Sequence, residues 1–174
     1  MNSQILLIDQ NHSDLGETIA RLGHVNRQTT FPAQLPTGAV LGWLPDFTAP
    51  DLGVTALVAC VDRSTAVPTR IVLLSPAGTA DDANIDQLIS IYGESNYQFV
   101  MDAAYAVKMV DELEYPYTVV RTLPWVDENV TSQVINEGQP MTGTQVGKAA
   151  LATLFYRALT TDSYLNQSVG LSGC

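Results

Sequence analysis

Residues 4–22, QILLIDQNHSDLGETIARL, hold the first side chains whose types and spacing can do chemistry. A branched apolar run ends at Asp9, the polar residues Gln10, Asn11 and His12 follow, and Gly16 stands early in a helical pattern. A strand, turn and helix in this order can seat a phosphate on the helix N-terminus, where free N–H groups and the helix dipole favour an anion. Closely spaced glycines normally let the backbone approach that phosphate, and side chains at Asp9 and His12 obstruct the approach. Asp14-Leu15-Gly16-Glu17 also has the spacing of a capping box, with Asp14 as N-cap and Glu17 at the third helical position. Two readings therefore stand, a helix capped by its own carboxylates and a modified phosphate site. A receiver-like acidic site at Asp9 would need further oxygen ligands for Mg²⁺, so no metal is expected.

Further along, Ser75 closes the run RIVLLS and Arg121 lies near the end of YTVVRT. Residues at the carboxyl ends of parallel strands line the usual ligand crevice. Ser75 precedes Pro76 and also suits a plain turn, and Arg121 reaches the crevice if its strand runs parallel to its neighbours. Trp125 follows in the next loop, where it can cover a pocket or the core. His12 and His24 have no Ser or Cys partner in a recognisable nucleophile motif, so neither is assigned to a triad. Cys60 and Cys174 belong to no closely spaced Cys/His set.

These side chains must be positioned by a domain of ordinary size, since 174 residues fit one domain, 1–174, with an ample core. Hydrophobic residues make up 46% and charged residues 15%, which points to elements buried on both faces. The formal net charge of −10 repels a phosphate backbone and an anionic membrane surface, so neither nucleic acid nor membrane is expected as a partner. No apolar run approaches the roughly 20 residues of a membrane span, and MNSQILLIDQ lacks a signal-like pattern. A cytoplasmic protein is the expectation.

The elements follow from apolar periodicity. QILLID reads as a strand buried on both faces, and Leu15, Ile19 and Leu22 give a helix that stops at Gly23. HVNRQTTF is a more polar strand near a sheet edge, PAQLPTG a connection, and AVLGWL a third strand. Residues 50–64 suit a helix buried between layers, and RIVLLSPAG is the clearest strand. Residues 97–114 form the longest amphipathic helix, with Val100, Ala103, Val107, Val110 and Leu113 on one stripe. YPYTVVRTLP, a short polar strand at SQVINEG, a helix over 144–160 and a last strand at YLNQSVGLS complete the pass. Strands alternating with helices imply a parallel sheet with right-handed crossovers.

Three of these segments carry a family resemblance. RIVLLSPAG is similar to the serine-bearing strand of the atypical short-chain dehydrogenases/reductases, a group of NAD(P)-binding Rossmann-fold proteins that includes nitrogen-metabolite-repressor-like sensors. YAVKMVDELEYPYTVVRTLP resembles the lysine helix and following strand of that group, and TGTQVGKAALATLFYRAL resembles its late helix. The resemblance implies a three-layer α/β fold with a mostly parallel sheet. It also implies a Gly-x-x-Gly-x-x-Gly turn, against which Gly16 is retained and Asp9 and His12 stand near the other glycine positions. In the family a Tyr acts as general acid/base and a Lys four residues later lowers its pKa, with a Ser completing the site. The candidates are Ser75, Tyr105 and Lys108, and here Tyr and Lys are three apart, which turns the Tyr by about 100°. Asp9, His12, Gly16 and Arg121 are the candidates for lining the cofactor crevice.

Only a few residues separate QTTF from GAVLGWL, where the family has another strand, so the domain reads as shortened on the adenosine-binding side. The resulting expectation is a binding or regulatory module without standard dinucleotide catalysis. No cofactor is expected at high affinity, with NAD(P) the one to test, and a small-molecule ligand and a homodimer are expected as partners. The alternative is an NAD(P)-dependent oxidoreductase or sugar-nucleotide-type epimerase with a displaced Ser75, Tyr105 and Lys108 site. A structural subunit with an empty crevice is the third reading.

Overall fold

Alternating faces of the strands decide the architecture. In a computed structural model describing residues 3–95 and 97–173, β1 (Ile5–Asp9) leads through α1 (Asp14–Ala20) to β2 (Val25–Gln28). β3 (Val40–Leu44) is followed by α2 (Pro50–Arg63), and β4 (Arg70–Pro76) by α3 (Ile85–Tyr92) and α4 (Gln98–Glu112). Then come β5 (Tyr117–Thr122), β6 (Trp125–Val126), β7 (Ser132–Ile135) and β8 (Val146–Gly147). α5 (Lys148–Thr160) and β9 (Gln167–Gly173) close the chain. Cys174 lies outside the described residues.

The main sheet has the order β2-β1-β3-β4-β5-β9-β7. Its first six strands are parallel, and β7 pairs antiparallel to β9 at the edge. Ile5 and Leu7 of β1 point into the layer of α1 and α5, whereas Leu6 and Ile8 point into the layer of α2 and α4. β4 repeats the division with Val72 and Leu74 on one side, Ile71 and Leu73 on the other. Such two-sided burial produces the continuous apolar runs seen in the sequence. Each fully buried Leu or Ile side chain contributes about 1.5–3 kcal/mol, and a charge at Leu6 or Leu7 would be stranded in one helical layer or the other.

The fold is a three-layer α/β Rossmann-like arrangement with a largely parallel central sheet. Residues 29–39 form no further strand or helix. Instead, Phe31 packs tilted against Trp43 at 6.3 Å, and the Arg63 guanidinium donates to the carbonyls of Pro32 and Ala33 at 2.6 and 2.9 Å. β2 is therefore the edge strand on that side among the described residues.

Three local expectations change. α3 was not foreseen, because this eight-residue helix has only one fully buried residue, Leu88. The last long helix starts at Lys148 rather than at 144, following the short β6–β8 ladder that pairs Trp125 with Val146. The N-cap of α1 is Ser13, not Asp14: the Ser13 hydroxyl accepts the Gly16 N–H at 3.0 Å, and Glu17 turns away to pair with Arg21. Ser13 has the extended backbone that capping requires.

Candidate functional site

At the carboxyl end of β1, Asp9 is 1% exposed, and its carboxylate fills the turn from within. It accepts the Ser13 N–H at 2.8 Å, the Ser13 hydroxyl at 3.0 Å, and Arg27 Nε and Nη2 at 3.0 and 2.8 Å. Arg27 comes from β2, the neighbouring strand, and also donates to the Ser13 carbonyl at 2.7 Å. His12 is exposed and adopts the left-handed conformation, φ 49°, that a glycine adopts more easily. A Cβ added at Gly16 would lie 1.9 Å from Asp9 Oδ2, so the close approach that Gly16 permits is already taken by the protein's own carboxylate.

The α1 donors are likewise engaged. Leu15 N–H donates to Asp14 Oδ1 at 2.8 Å, Gly16 N–H to Ser13 Oγ, and Glu17 N–H to the Ser13 carbonyl at 3.1 Å. A dinucleotide pyrophosphate needs this same space and these same donors. The turn as folded does not fit it.

Asp14 belongs to a second cluster, which ties a loop across the site. Its Oδ1 accepts Trp125 Nε1 at 3.3 Å and its Oδ2 receives Lys148 Nζ at 3.2 Å, while Lys148 also holds Asp127. The β6–β8 ladder brings Lys148 beside Trp125 of β6 and Asp127 just after it. Partial burial opposes ionisation of Asp14, but hydrogen bonds from Lys148, Trp125 and the Leu15 backbone bring its carboxyl below the usual value. Hydrogen bonds to Asp127 and Asp14 raise Lys148 in turn.

Beside this cluster, the carboxyl ends of the central strands open into an aromatic crevice. Phe47, Tyr92, Phe99, Thr122, Leu123, Pro124 and Trp125 line a cavity of about 330 Å³. It continues past Phe47, Tyr92 and Phe99 into a second hollow of about 580 Å³, edged by Thr48, Ser95, Gln98 and Asp102. On its other side, beyond Phe47 and Trp125, lies a small recess of about 90 Å³ at Asp9, Asn11 and Ser13. Phe47 and Phe99 stack at 6.1 Å, and Tyr92 meets Phe99 edge-on at 4.7 Å. Asp46 fixes the turn that presents Phe47, accepting the Thr48 hydroxyl at 2.7 Å and N–H at 2.9 Å. Those bonds hold the Asp46 carboxyl below its usual range. Gln10 anchors the same turn, its Oε1 accepting Trp43 Nε1 at 2.9 Å and the Asp46 N–H at 3.3 Å.

The Tyr92 hydroxyl accepts the Ala77 N–H at 3.2 Å and donates to the Thr122 carbonyl at 3.4 Å, which puts it at the ends of β4 and β5. Burial pushes its phenol well above the usual tyrosine range, against the opposing pull of the Ala77 N–H. At neutral pH it is a proton donor and not a base.

The sequence candidates divide sharply. Asp9 lies in the crevice's small recess, and Trp125 stands between that recess and the main cavity. Ser75 is 1% exposed and bonds locally, its hydroxyl 3.0 Å from the Pro76 carbonyl and 2.7 Å from Thr79 Oγ1. Tyr105 is 48% exposed on α4, and exposed Lys108 lies 3.8 Å from Glu112. The helix turns both away from Ser75, so these three do not form one site. Arg121 sits on a parallel strand as expected, yet its side chain is fully buried against Asp82 and Ser168, with Nε 2.8 Å from Ser168 Oγ. The buried Asp82 neutralises it there and it does not line the crevice. Phe47, Tyr92 and Phe99 were missed. Their position just beyond strand ends was the available signal for Phe47, and nothing local marked the other two.

No protein-family model matches the sequence, and no curated protein matches it. The fold does match solved structures. A short-chain dehydrogenase/reductase from Veillonella parvula superposes with a TM-score of 0.77 at 13% identity, over 98% of this chain and 94% of that one. The chain carries the Rossmann fold of the short-chain dehydrogenases/reductases. A wide-type short-chain dehydrogenase/reductase from the same organism, in complex with NADP, gives 0.69 at 13% identity over 97% and 94%. An oxidoreductase from Lactococcus lactis gives 0.70 at 10% identity over 98% and 91%.

These likenesses overturn the expectation of a non-enzymatic binding or regulatory module. That expectation took the missing glycines of the first turn and the displaced Tyr-to-Lys spacing as loss of catalysis, whereas proteins named as dehydrogenase/reductase and oxidoreductase share almost the whole of this chain's fold. Among the described residues no helix is long and apolar enough to cross a membrane, and no group of three or more His, Cys, Asp or Glu could hold a metal ion.

Proposed function

We propose that the chain is an oxidoreductase that holds a ring-bearing small molecule in its aromatic crevice, with NADPH the first reductant to test. The observation that carries this reading is the crevice itself, a cavity of about 330 Å³ lined mainly by apolar and aromatic side chains at the carboxyl ends of β4 and β5. Its size and lining suit a small molecule, and its place suits the ligand site of a doubly wound sheet. The neighbours named above support the reaction class, and the NADP in one of them supports the choice of reductant.

The residues of the chain have distinct tasks in this reading. Phe47, Phe99 and Trp125 exclude water and orient a planar ring, and the Tyr92 phenol can turn its one O–H from the Thr122 carbonyl toward an oxygen on it. Tyr105 and Lys108 stand in solvent and take no part. Asp9 and Arg27 fill the α1 turn where a dinucleotide would rest. Its pyrophosphate reaches the helix only by displacing that carboxylate, so NAD(P)(H) affinity is expected in the millimolar range, about −4 kcal/mol. We also infer a homodimer, since Leu52, Met101 and Tyr105 leave apolar surface exposed on α2 and α4, and symmetric pairing is the commonest way to cover it. A cytoplasmic setting accords with this reading.

The test is NADPH oxidation with a panel of quinones and aromatic aldehydes as acceptors, in the native protein and in Phe99→Ala. Acceptor-dependent oxidation that the substitution slows is the expected result. If no acceptor is reduced at millimolar NADPH, the oxidoreductase reading fails.

A further inference from the structure

The crevice has a charge as well as a shape. Of the described residues lining its main cavity, its outer hollow and its inner recess, the only ionisable ones besides Tyr92 are Asp9 and Asp102. No Lys, Arg or His is among them. Two cations bonded beside the lining are already committed: Arg27 is held by Asp9, and Lys148 by Asp14 and Asp127. Asp102, half-buried on α4, lines the outer hollow with Gln98 and Phe99. The chain as a whole carries a net charge of −10, which adds a repulsive field for any incoming anion.

From this distribution we propose that the crevice selects planar aromatic molecules that are neutral or positively charged, and that Asp102 sets the preference. The proposal rests on the crevice of the oxidoreductase reading and names its substrate class. An anionic group would leave water for an apolar cavity with no cation to meet it, a large desolvation cost without compensation. A cationic group meets the opposite conditions. It can face the Asp102 carboxylate while its ring lies against Phe47 and Phe99, whose π faces also attract positive charge. The nucleotide-like anions for which the fold is commonly used are thus disfavoured at this end of the sheet as well as at the α1 turn.

Three indoles with one ring and three charges make the test: tryptamine, indole and indole-3-acetate, titrated into the full-length protein by calorimetry. Tryptamine is expected to bind tightest, and indole-3-acetate at least about tenfold more weakly than indole, the equivalent of about 1.4 kcal/mol. Asp102→Asn should bring tryptamine to within about twofold of indole by removing the ionic attraction. Phe99→Ala should weaken all three, and the thermal midpoint of each variant checks that it folds. Binding of indole-3-acetate equal to that of tryptamine, an Asp102→Asn variant that keeps the full tryptamine preference, or no binding by any of the three would overturn the proposal. Charge discrimination without any NADPH-linked turnover would instead remove the oxidoreductase reading and leave the selectivity standing.

Discussion

Replacing Asp9 by Ala is the sharpest perturbation available, because one carboxylate organises the whole α1 turn. The substitution removes four contacts, two from Ser13 and two from Arg27, all between 2.8 and 3.0 Å. Removing one partner from a buried ion pair costs about 3–5 kcal/mol, chiefly because the other charge is left uncompensated. Arg27 is not sealed off, since its side chain is 17% exposed and keeps its bond to the Ser13 carbonyl. The expected loss is therefore nearer about 2–4 kcal/mol. Asp9→Asn keeps an acceptor for Ser13 and should cost about half as much. Urea denaturation with an unchanged slope measures the loss, and the double variant with Arg27→Ala should fall short of additivity by about 1–3 kcal/mol. A loss under about 0.5 kcal/mol for Asp9→Ala, the level of an ordinary surface change, would refute the account of the turn. So would strict additivity.

The remaining predictions concern the same end of the molecule. Asp9→Gly should bind NADPH more tightly than the native protein once its lower stability is allowed for, and calorimetry showing equal or weaker binding would mean that the carboxylate is not the obstacle. Ser13→Ala should destabilise the fold by about 0.5–2 kcal/mol as an N-cap loss, whereas Asp14→Ala should chiefly alter Trp125 fluorescence. The loop tie has a pH window. Asp14 lies below its ordinary 3.8, so its contribution is present above that pH and is lost as pH falls through the lower folded value; Lys148 lies above its ordinary 10.5, so its contribution is present below that pH and is lost as pH rises through the higher folded value. The Trp125 signal should accordingly be flat between 3.8 and 10.5 and change outside, and a midpoint near neutrality would contradict the tie. Light scattering at tens of micromolar should give a dimer mass, and a clean monomer would remove the homodimer.

The strands were legible because burial on both faces selects unbroken branched apolar runs, ILLI in β1 and IVLL in β4. The edge position of β2 was legible for the opposite reason: VNRQ is too polar to be covered twice. α3 escaped because eight residues with one buried position make no stripe, and β6 and β8 because two residues make no period. The cap of α1 was misread by one residue. Ser13 and Asp14 both carry a capping oxygen, and only the backbone conformation chooses between them. Arg27 was read as a polar edge residue, since its pairing with Asp9 spans 18 positions and is created by the parallel register of β1 and β2. The crevice aromatics come from three separate segments, at 47, 92 and 99, and only the closed sheet brings them together.

The internal carboxylate in the α1 turn has a consequence for how the protein responds to its surroundings. A helix whose first N–H groups await a phosphate is stabilised when that phosphate arrives, and its melting temperature rises with ligand concentration by mass action. Here Ser13, Asp14 and Asp9 already fill that role, so the native state is complete at this end without any occupant. Thermal-shift screening, which detects ligands by added stability, will be nearly blind to anything competing for this turn, since each binder must first undo contacts worth a comparable amount. Ligands of the aromatic crevice displace no such contacts. They are the ones for which the melting temperature should climb with concentration.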